Sequence, residues 1–165
     1  MSQSLSVILP VRNAEQKLAD KVDDLLEVVA DLSSELELIV VDDGSTDNTE
    51  EVAMELCRRF PQVEFLRRAE QSGQIEAVNA GIAKTTGEVV LIHDIESPLS
   101  AEAIRQFWAM RDDSDLVLAR LEPAHAFRVP RMTSSDWSGT QMLRRAAVND
   151  LQPRRERFAD PMDCA

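Results

Sequence analysis

The sequence predicts an α/β domain, a mainly parallel sheet sandwiched by helices. Short β-type apolar runs alternate with stretches whose apolar residues recur at helical spacing through the first two thirds of the chain. One run, Glu88–His93 (EVVLIH), is nearly all apolar, as expected when both faces of a strand are covered. The length is 165 residues, with 44% apolar and 29% charged, a globular balance. A chain of this size buries roughly 70% of its unfolded surface, enough for a core without staples.

Leu5–Val11 (LSVILPV) reads as the first strand, and Leu18, Val22, Leu25, Leu26 and Val29 after it form one helical face. Leu36–Val41 (LELIVV) is the second strand and ends in Asp42-Asp43-Gly44-Ser45. Asp47 and Glu50 have capping-box spacing for a helix carrying Val52, Leu56 and Phe60, which Pro61 stops. Val63–Leu66 is a short third strand. Gly73 precedes a helix with Ile75, Val78 and Ile82 on one face, ended near Gly87. Glu88–His93 is the fourth strand, Ser100 caps a helix carrying Ile104, Phe107 and Trp108, and Leu116–Ala119 is the fifth strand. Beyond it the alternation stops. Glu122–Ser138, with two prolines, reads as an irregular excursion. Gln141–Leu151 reads as one more helix packing Met142, Leu143, Ala146 and Ala147, and Pro153–Ala165 as a loose tail.

The charge balance, 18 basic against 30 acidic residues, gives −12 and argues against nucleic acid or an anionic membrane as partner. No apolar run is long enough to span a bilayer and no basic region precedes the first one, so a cytoplasmic protein without a transmembrane segment is expected. Cys57 and Cys164 make neither a disulfide framework nor a metal cluster. Five glycines include no dinucleotide-binding or P-loop pattern. A signalling receiver domain would need its acid pair after the first strand and a late lysine. Here the pair follows the second strand, and the lysines are Lys17, Lys21 and Lys84.

In open α/β sheets ligands bind beyond the carboxyl ends of the strands. Three such ends carry chemistry: Pro10-Val11-Arg12-Asn13, Asp42-Asp43-Gly44-Ser45 and His93-Asp94-Ile95-Glu96. In an extended segment Asp94 and Glu96 face one side, His93 and Ile95 the other. Two converging carboxylates suit Mg²⁺ or Mn²⁺, which completes its shell with water and a ligand's phosphates. Such an ion also relieves the repulsion between an acidic protein and an anionic ligand. The same triplet reads equally as a polar turn capping the next helix. Asp42 and Asp43 read either as turn formers or as acceptors for a nucleobase imide or a ribose hydroxyl. His93 reads as a packed strand residue, and His125 has no evident partner.

The stretches SVILPVRNA, ELIVVDDGSTDNTEEVA, GQIEAVNAGIAKTTGEVVLIHDIES and SPLSAEAI, in this order over residues 5–120, resemble the nucleotide-sugar-binding half of family 2 glycosyltransferases, which have the GT-A fold. The resemblance implies a nucleotide held by Pro10, Val11, Arg12, Asp42, Asp43 and Gly73. It implies Asp94 and Glu96 as the metal-holding triplet, normally Asp-x-Asp, with Asp94 also at the donor diphosphate and Mn²⁺ or Mg²⁺ as cofactor. The implied reaction is inverting transfer from a UDP- or GDP-linked sugar to an acceptor the resemblance does not identify. It further implies a single GT-A-like domain over 1–165, with 5–120 as nucleotide-sugar core and 121–165 as an abbreviated acceptor-side segment and tail.

Several positions depart from the family pattern. Arg12 replaces a frequent aromatic residue, Gln71 and Gln74 stand where Asn and often a basic residue flank the glycine, and Ser97 follows the Asp-Ile-Glu triplet where another acid is common. Ser138–Arg145 (SGTQMLRR) looks like the segment that opens the acceptor half. No Glu-Asp base motif follows it, which leaves Asp160 and Asp163 as candidates for the general base. The alternative is a non-catalytic nucleotide-sugar-binding or regulatory domain of the same fold, favoured by the short last third and the altered flanking residues.

Overall fold

The computed structural model describes residues 3–112, 116–119 and 139–147. Its strands are β1 (Leu5–Val11), β2 (Leu36–Asp43), β3 (Val63–Arg68), β4 (Val89–His93), β5 (Leu116–Ala119) and β6 (Thr140–Arg144). Helices α1 (Leu18–Ala30), α2 (Thr49–Arg59), α3 (Gln74–Lys84) and α4 (Ala101–Met110) connect the first five strands in turn. The sheet order is β3-β2-β1-β4-β6-β5, with β1 to β4 pairing in parallel and β6 running antiparallel between β4 and β5. The expected mainly parallel sheet is therefore present, with one reversed strand.

The central strands are buried on both faces, which is why they read as continuous apolar runs. In β1, Leu5, Val7, Leu9 and Val11 join the core under α1, α2 and α4, while Ile8 joins the smaller core under α3. In β4, Val89 and Leu91 face the first core and Val90 and Ile92 the second. The α1 stripe is the one its spacing predicts: Leu18, Val22, Leu25, Leu26 and Val29 are all buried. On the other face α3 comes close to the sheet through Gly81, where a Cβ would lie 2.7 Å from Ile8 Cγ2.

Two local expectations are corrected. The Asp47–Glu50 capping box does not form: α2 begins at Thr49 after Asn48, and Asp47 Oδ1 accepts from Thr49 N at 3.0 Å while Glu50 pairs with Arg67. The segment read as a helix from Gln141 is strand β6 through Arg144, with Met142 and Leu143 buried. The outer edge of β4 presents unpaired backbone groups, and β6 satisfies them from His93↔Thr140 to Val89↔Arg144. That demand outweighs local helix preference. The backbone turns helical only at residues 145–147. The expected excursion over Glu122–Ser138 and the tail Pro153–Ala165 lie outside the described residues.

The topology also places a crevice. β1 pairs with β2 as far as Val11↔Asp42, but with β4 only as far as Ile8↔Ile92. Pro10, which has no N–H to donate, occupies the stretch where the β4 ladder has already ended. Strand order reverses between β1 and β4, the switch point at which open α/β sheets hold ligands.

Candidate functional site

The loops after β1 and β2 are stitched together by short polar side chains. Asn13 adopts φ 50 and donates its N–H to Ser45 Oγ at 2.8 Å, while its Oδ1 accepts from Thr46 N at 2.8 Å. Ala14 N donates to Thr49 Oγ1 at 2.8 Å, Glu15 N to Asp47 Oδ2 at 3.2 Å, and Asn48 N to Glu15 Oε2 at 2.9 Å. Asn13, Ser45, Asp47 and Thr49 thus fix the rim of the crevice. The sequence reading missed them as a set. Their signal was the density of Ser, Thr, Asn and Asp in both loops, residues that bond neighbouring backbone. Val11 is buried beneath this rim and Arg12 is exposed on it.

Asp42 and Asp43 diverge because successive strand residues point to opposite faces. Asp42 is fully buried, and its Oδ1 accepts from Ser45 N at 3.0 Å and from the Ser45 hydroxyl. Its Oδ2 is buried with no hydrogen-bond partner among the described residues. Asp43 has both oxygens engaged: Oδ1 accepts from Ser72 N at 3.0 Å and Oδ2 from Gly73 N at 2.9 Å. Gly73, at φ +102, turns the chain into α3. Asp43 and Gly73 are therefore brought together as a brace, while Asp42 keeps an unused acceptor beside the end of β1.

The acidic triplet is a turn, not an extended segment. β4 ends at His93, Asp94 N donates to Gly139 O at 2.9 Å, and Ser97 N closes back on Asp94 O at 3.0 Å. Asp94 Oδ1 accepts from Glu96 N at 3.1 Å and Oδ2 from Ser97 Oγ at 3.3 Å. The same-face geometry expected for Asp94 and Glu96 gives way to an aspartate-led turn. Glu96 is exposed, with Oε2 2.5 Å from Lys17 Nζ, and Lys21 Nζ donates to Ser97 O at 2.9 Å. Lysines absent from this part of the sequence reach it from the N-cap and first turns of α1. Beyond the turn, Ser100 caps α4 as expected by accepting from Ala103 N at 3.2 Å.

No group of three or more His, Cys, Asp or Glu side chains forms a metal cage among the described residues. Two carboxylates at a strand end still suit a hard divalent ion that takes its other ligands from water and phosphate. Here both Asp94 oxygens accept within their own turn and Glu96 is paired with Lys17. His93 is the packed residue expected: Nδ1 lies 2.8 Å from Thr140 Oγ1, and Nε2 is buried without a partner among the described residues. Burial, helped by the charge of Lys21, lowers its pKa to about 4, and a backbone contact with Ser97 only partly offsets this. Asp160, Asp163 and His125 lie outside the described residues.

The model of the family described as Glycosyl transferase family 2 matches residues 6–120. The chain is 30% identical over 149 residues to the uncharacterized glycosyltransferase YibD of Escherichia coli K12, covering 89% of this chain and 41% of that protein. The chain spans between 20% and 41% of the length of the curated relatives it matches. It also superposes on S. aureus TarS 1-349 in complex with UDP-GlcNAc at TM-score 0.68 and 25% identity, covering 89% of this chain and 47% of that one. Glucosyl-3-phosphoglycerate synthase from Mycobacterium tuberculosis, in complex with Mn²⁺, UDP and phosphoglyceric acid, matches at TM-score 0.54 and 26% identity, over 66% of this chain and 39% of that one. No helix among the described residues is long and apolar enough to cross a membrane.

Proposed function

Since the chain belongs to glycosyl transferase family 2 and has the GT-A fold, we propose that it is the nucleotide-sugar-binding part of an inverting, metal-dependent glycosyltransferase. The donor is a UDP- or GDP-linked sugar, in keeping with the UDP-GlcNAc held by TarS. The carrying observation is Asp42, fully buried at the end of β2 beside Val11 of β1, with one carboxylate oxygen unpartnered among the described residues. A buried acceptor left open takes its donor from water, from another part of the chain or from a ligand, and we read it here as the place of a nucleobase imide or ribose hydroxyl. Pro10 and Val11 form the neighbouring wall, Arg12 the rim, and Asp43 with Gly73 holds the adjoining loop in place.

Asp94 and Glu96 are the residues that would hold Mn²⁺ or Mg²⁺, and a bound ion supplies positive charge to the leaving diphosphate. The reading assigns the core to residues 5–120 and the acceptor side to 121–165. The acceptor hydroxyl bonds to the anomeric carbon as the bond to the diphosphate oxygen breaks, and its proton passes to a carboxylate, for which Asp160 and Asp163 are the candidates in this chain. Calorimetric titration with UDP and GDP, with and without Mn²⁺, tests the assignment. A metal-dependent gain that Asp94→Asn removes is expected, whereas equal affinity with and without metal would sink the metal-dependent part of it.

A second reading, a nucleotide-sugar-binding or regulatory domain without turnover, is favoured by one feature, the ion pair that Glu96 makes with Lys17 instead of standing open beside Asp94. Donor-sugar hydrolysis or transfer assays separate the two, since only the enzyme releases nucleoside diphosphate.

A further inference from the structure

Two lysines at the start of α1, Lys17 at its N-cap and Lys21 within its first turn and a half, grip the acidic turn. Lys17 Nζ lies 2.5 Å from Glu96 Oε2, and Lys21 Nζ donates to the Ser97 carbonyl at 2.9 Å. They act on different parts of the turn. Lys21 holds its backbone, a contact that an arriving cation leaves intact. Lys17 holds the Glu96 carboxylate itself, so that group cannot ligate a metal without giving up its ammonium partner.

We propose that Lys17 is an internal counter-ion of the acidic turn, which competes with the divalent cation for Glu96 and so sets how much metal the site requires. This rests on the reading of Asp94 and Glu96 as metal ligands. Without a cation the turn carries two acidic side chains, and the Lys17 ammonium offsets the charge of one of them. When a divalent ion arrives, the free energy of the Lys17–Glu96 pair is subtracted from its affinity. Both side chains are more than half exposed, at 58% and 62%. The pair therefore has the strength of a surface ion pair, and the competition is worth a few-fold change in affinity, not orders of magnitude.

The test is a Mn²⁺ titration at fixed UDP, repeated with GDP, in which the paramagnetic resonance of the free ion reports binding. Lys17→Met is expected to lower the Mn²⁺ concentration for half-saturation by about two- to fivefold. Lys17→Arg, which keeps the charge, should behave as wild type. In a Glu96→Gln background Lys17→Met should change nothing further, and calorimetry without metal should show unaltered nucleotide affinity. A Lys17→Met variant with the wild-type or a higher Mn²⁺ requirement overturns the proposal. So does a several-fold loss of metal-free affinity, which would make Lys17 a phosphate contact. No Mn²⁺-dependent binding by the wild type with either nucleotide would instead remove the metal assignment of Asp94 and Glu96, and this proposal with it.

Discussion

Asp42 and Asp43 are neighbours in sequence with opposite duties, and the difference is measurable. Asp43 accepts from the N–H groups of Ser72 and Gly73, so Asp43→Ala leaves two donors without partners at the start of α3. Urea unfolding should show a loss of about 1–3 kcal/mol. Asp42→Asn keeps an oxygen for Ser45 but puts a donor where the unpartnered Oδ2 stood. Calorimetry should then show nucleoside diphosphate affinity falling roughly 10- to 100-fold at nearly unchanged melting temperature. Wild-type affinity in that variant would reduce Asp42 to a turn former. His93 makes a pH prediction. Its folded value of about 4 lies below the ordinary 6.5, so on acidification the unfolded chain takes up the proton first. The stability it contributes is complete above pH 6.5 and is lost as pH falls toward 4. Glu37 is also below its ordinary 4.5: burial pushes it up, but hydrogen bonds from the Ser6 hydroxyl and the N–H groups of Thr86 and Gly87, with Arg145 nearby, outweigh that. Its loss comes below pH 4.5. Of these two groups only His93 acts between pH 6.5 and 5, where metal-free protein should lose about 2 kcal/mol. His93→Gln should flatten that slope, and an equally steep slope in the variant would assign the effect to another group.

Among the elements, α3 shows how a single missing side chain sets a packing distance. Gly81 faces Ile8, and the Cβ of an alanine there would sit 2.7 Å from Ile8 Cγ2, a branch close to the backbone that cannot swing away. Alanine gains about 1 kcal/mol in helix propensity over glycine. Overpacking costs typically about 1–3 kcal/mol. Gly81→Ala should therefore destabilise by up to about 2 kcal/mol in chemical denaturation, and a more stable variant would mean that α3 has room to shift. Sequence periodicity showed α1 to α4 and β1 to β5 because each one's apolar pattern is local. It misread β6 because Met142, Leu143, Ala146 and Ala147 have helical spacing, whereas the strand is imposed by the edge of β4, some fifty residues away. The three loaded strand ends were legible for the same local reason. What happens between them was not. The brace of Asp43 on Gly73 and the reach of Lys17 to Glu96 depend on distances that only the folded sheet sets, whereas the Asp94 turn is local and is the polar turn that the triplet also offered.

At the scale of the whole molecule, the proposed anionic donor would approach a protein of formal charge −12. Two of the cations at the strand ends are already paired, Lys17 with Glu96 and Arg67 with Glu50. A clean consequence concerns salt. A basic nucleotide-binding surface loses affinity as ionic strength rises, because screening weakens attraction. Here the long-range term is repulsive, so screening should help. Between about 0.01 M and 0.15 M salt the Debye length contracts from about 30 Å to about 8 Å, which hides most charges outside the crevice. Metal-free affinity for UDP, measured by calorimetry at the two salt concentrations, should therefore rise by roughly two- to fivefold. With saturating Mn²⁺ the rise should be smaller, because the ion cancels charge on the diphosphate before it meets the protein. A fall in metal-free affinity with salt would show that nearby cations such as the exposed Arg12 dominate over the net charge, and that the diphosphate already has a positive protein partner in this crevice.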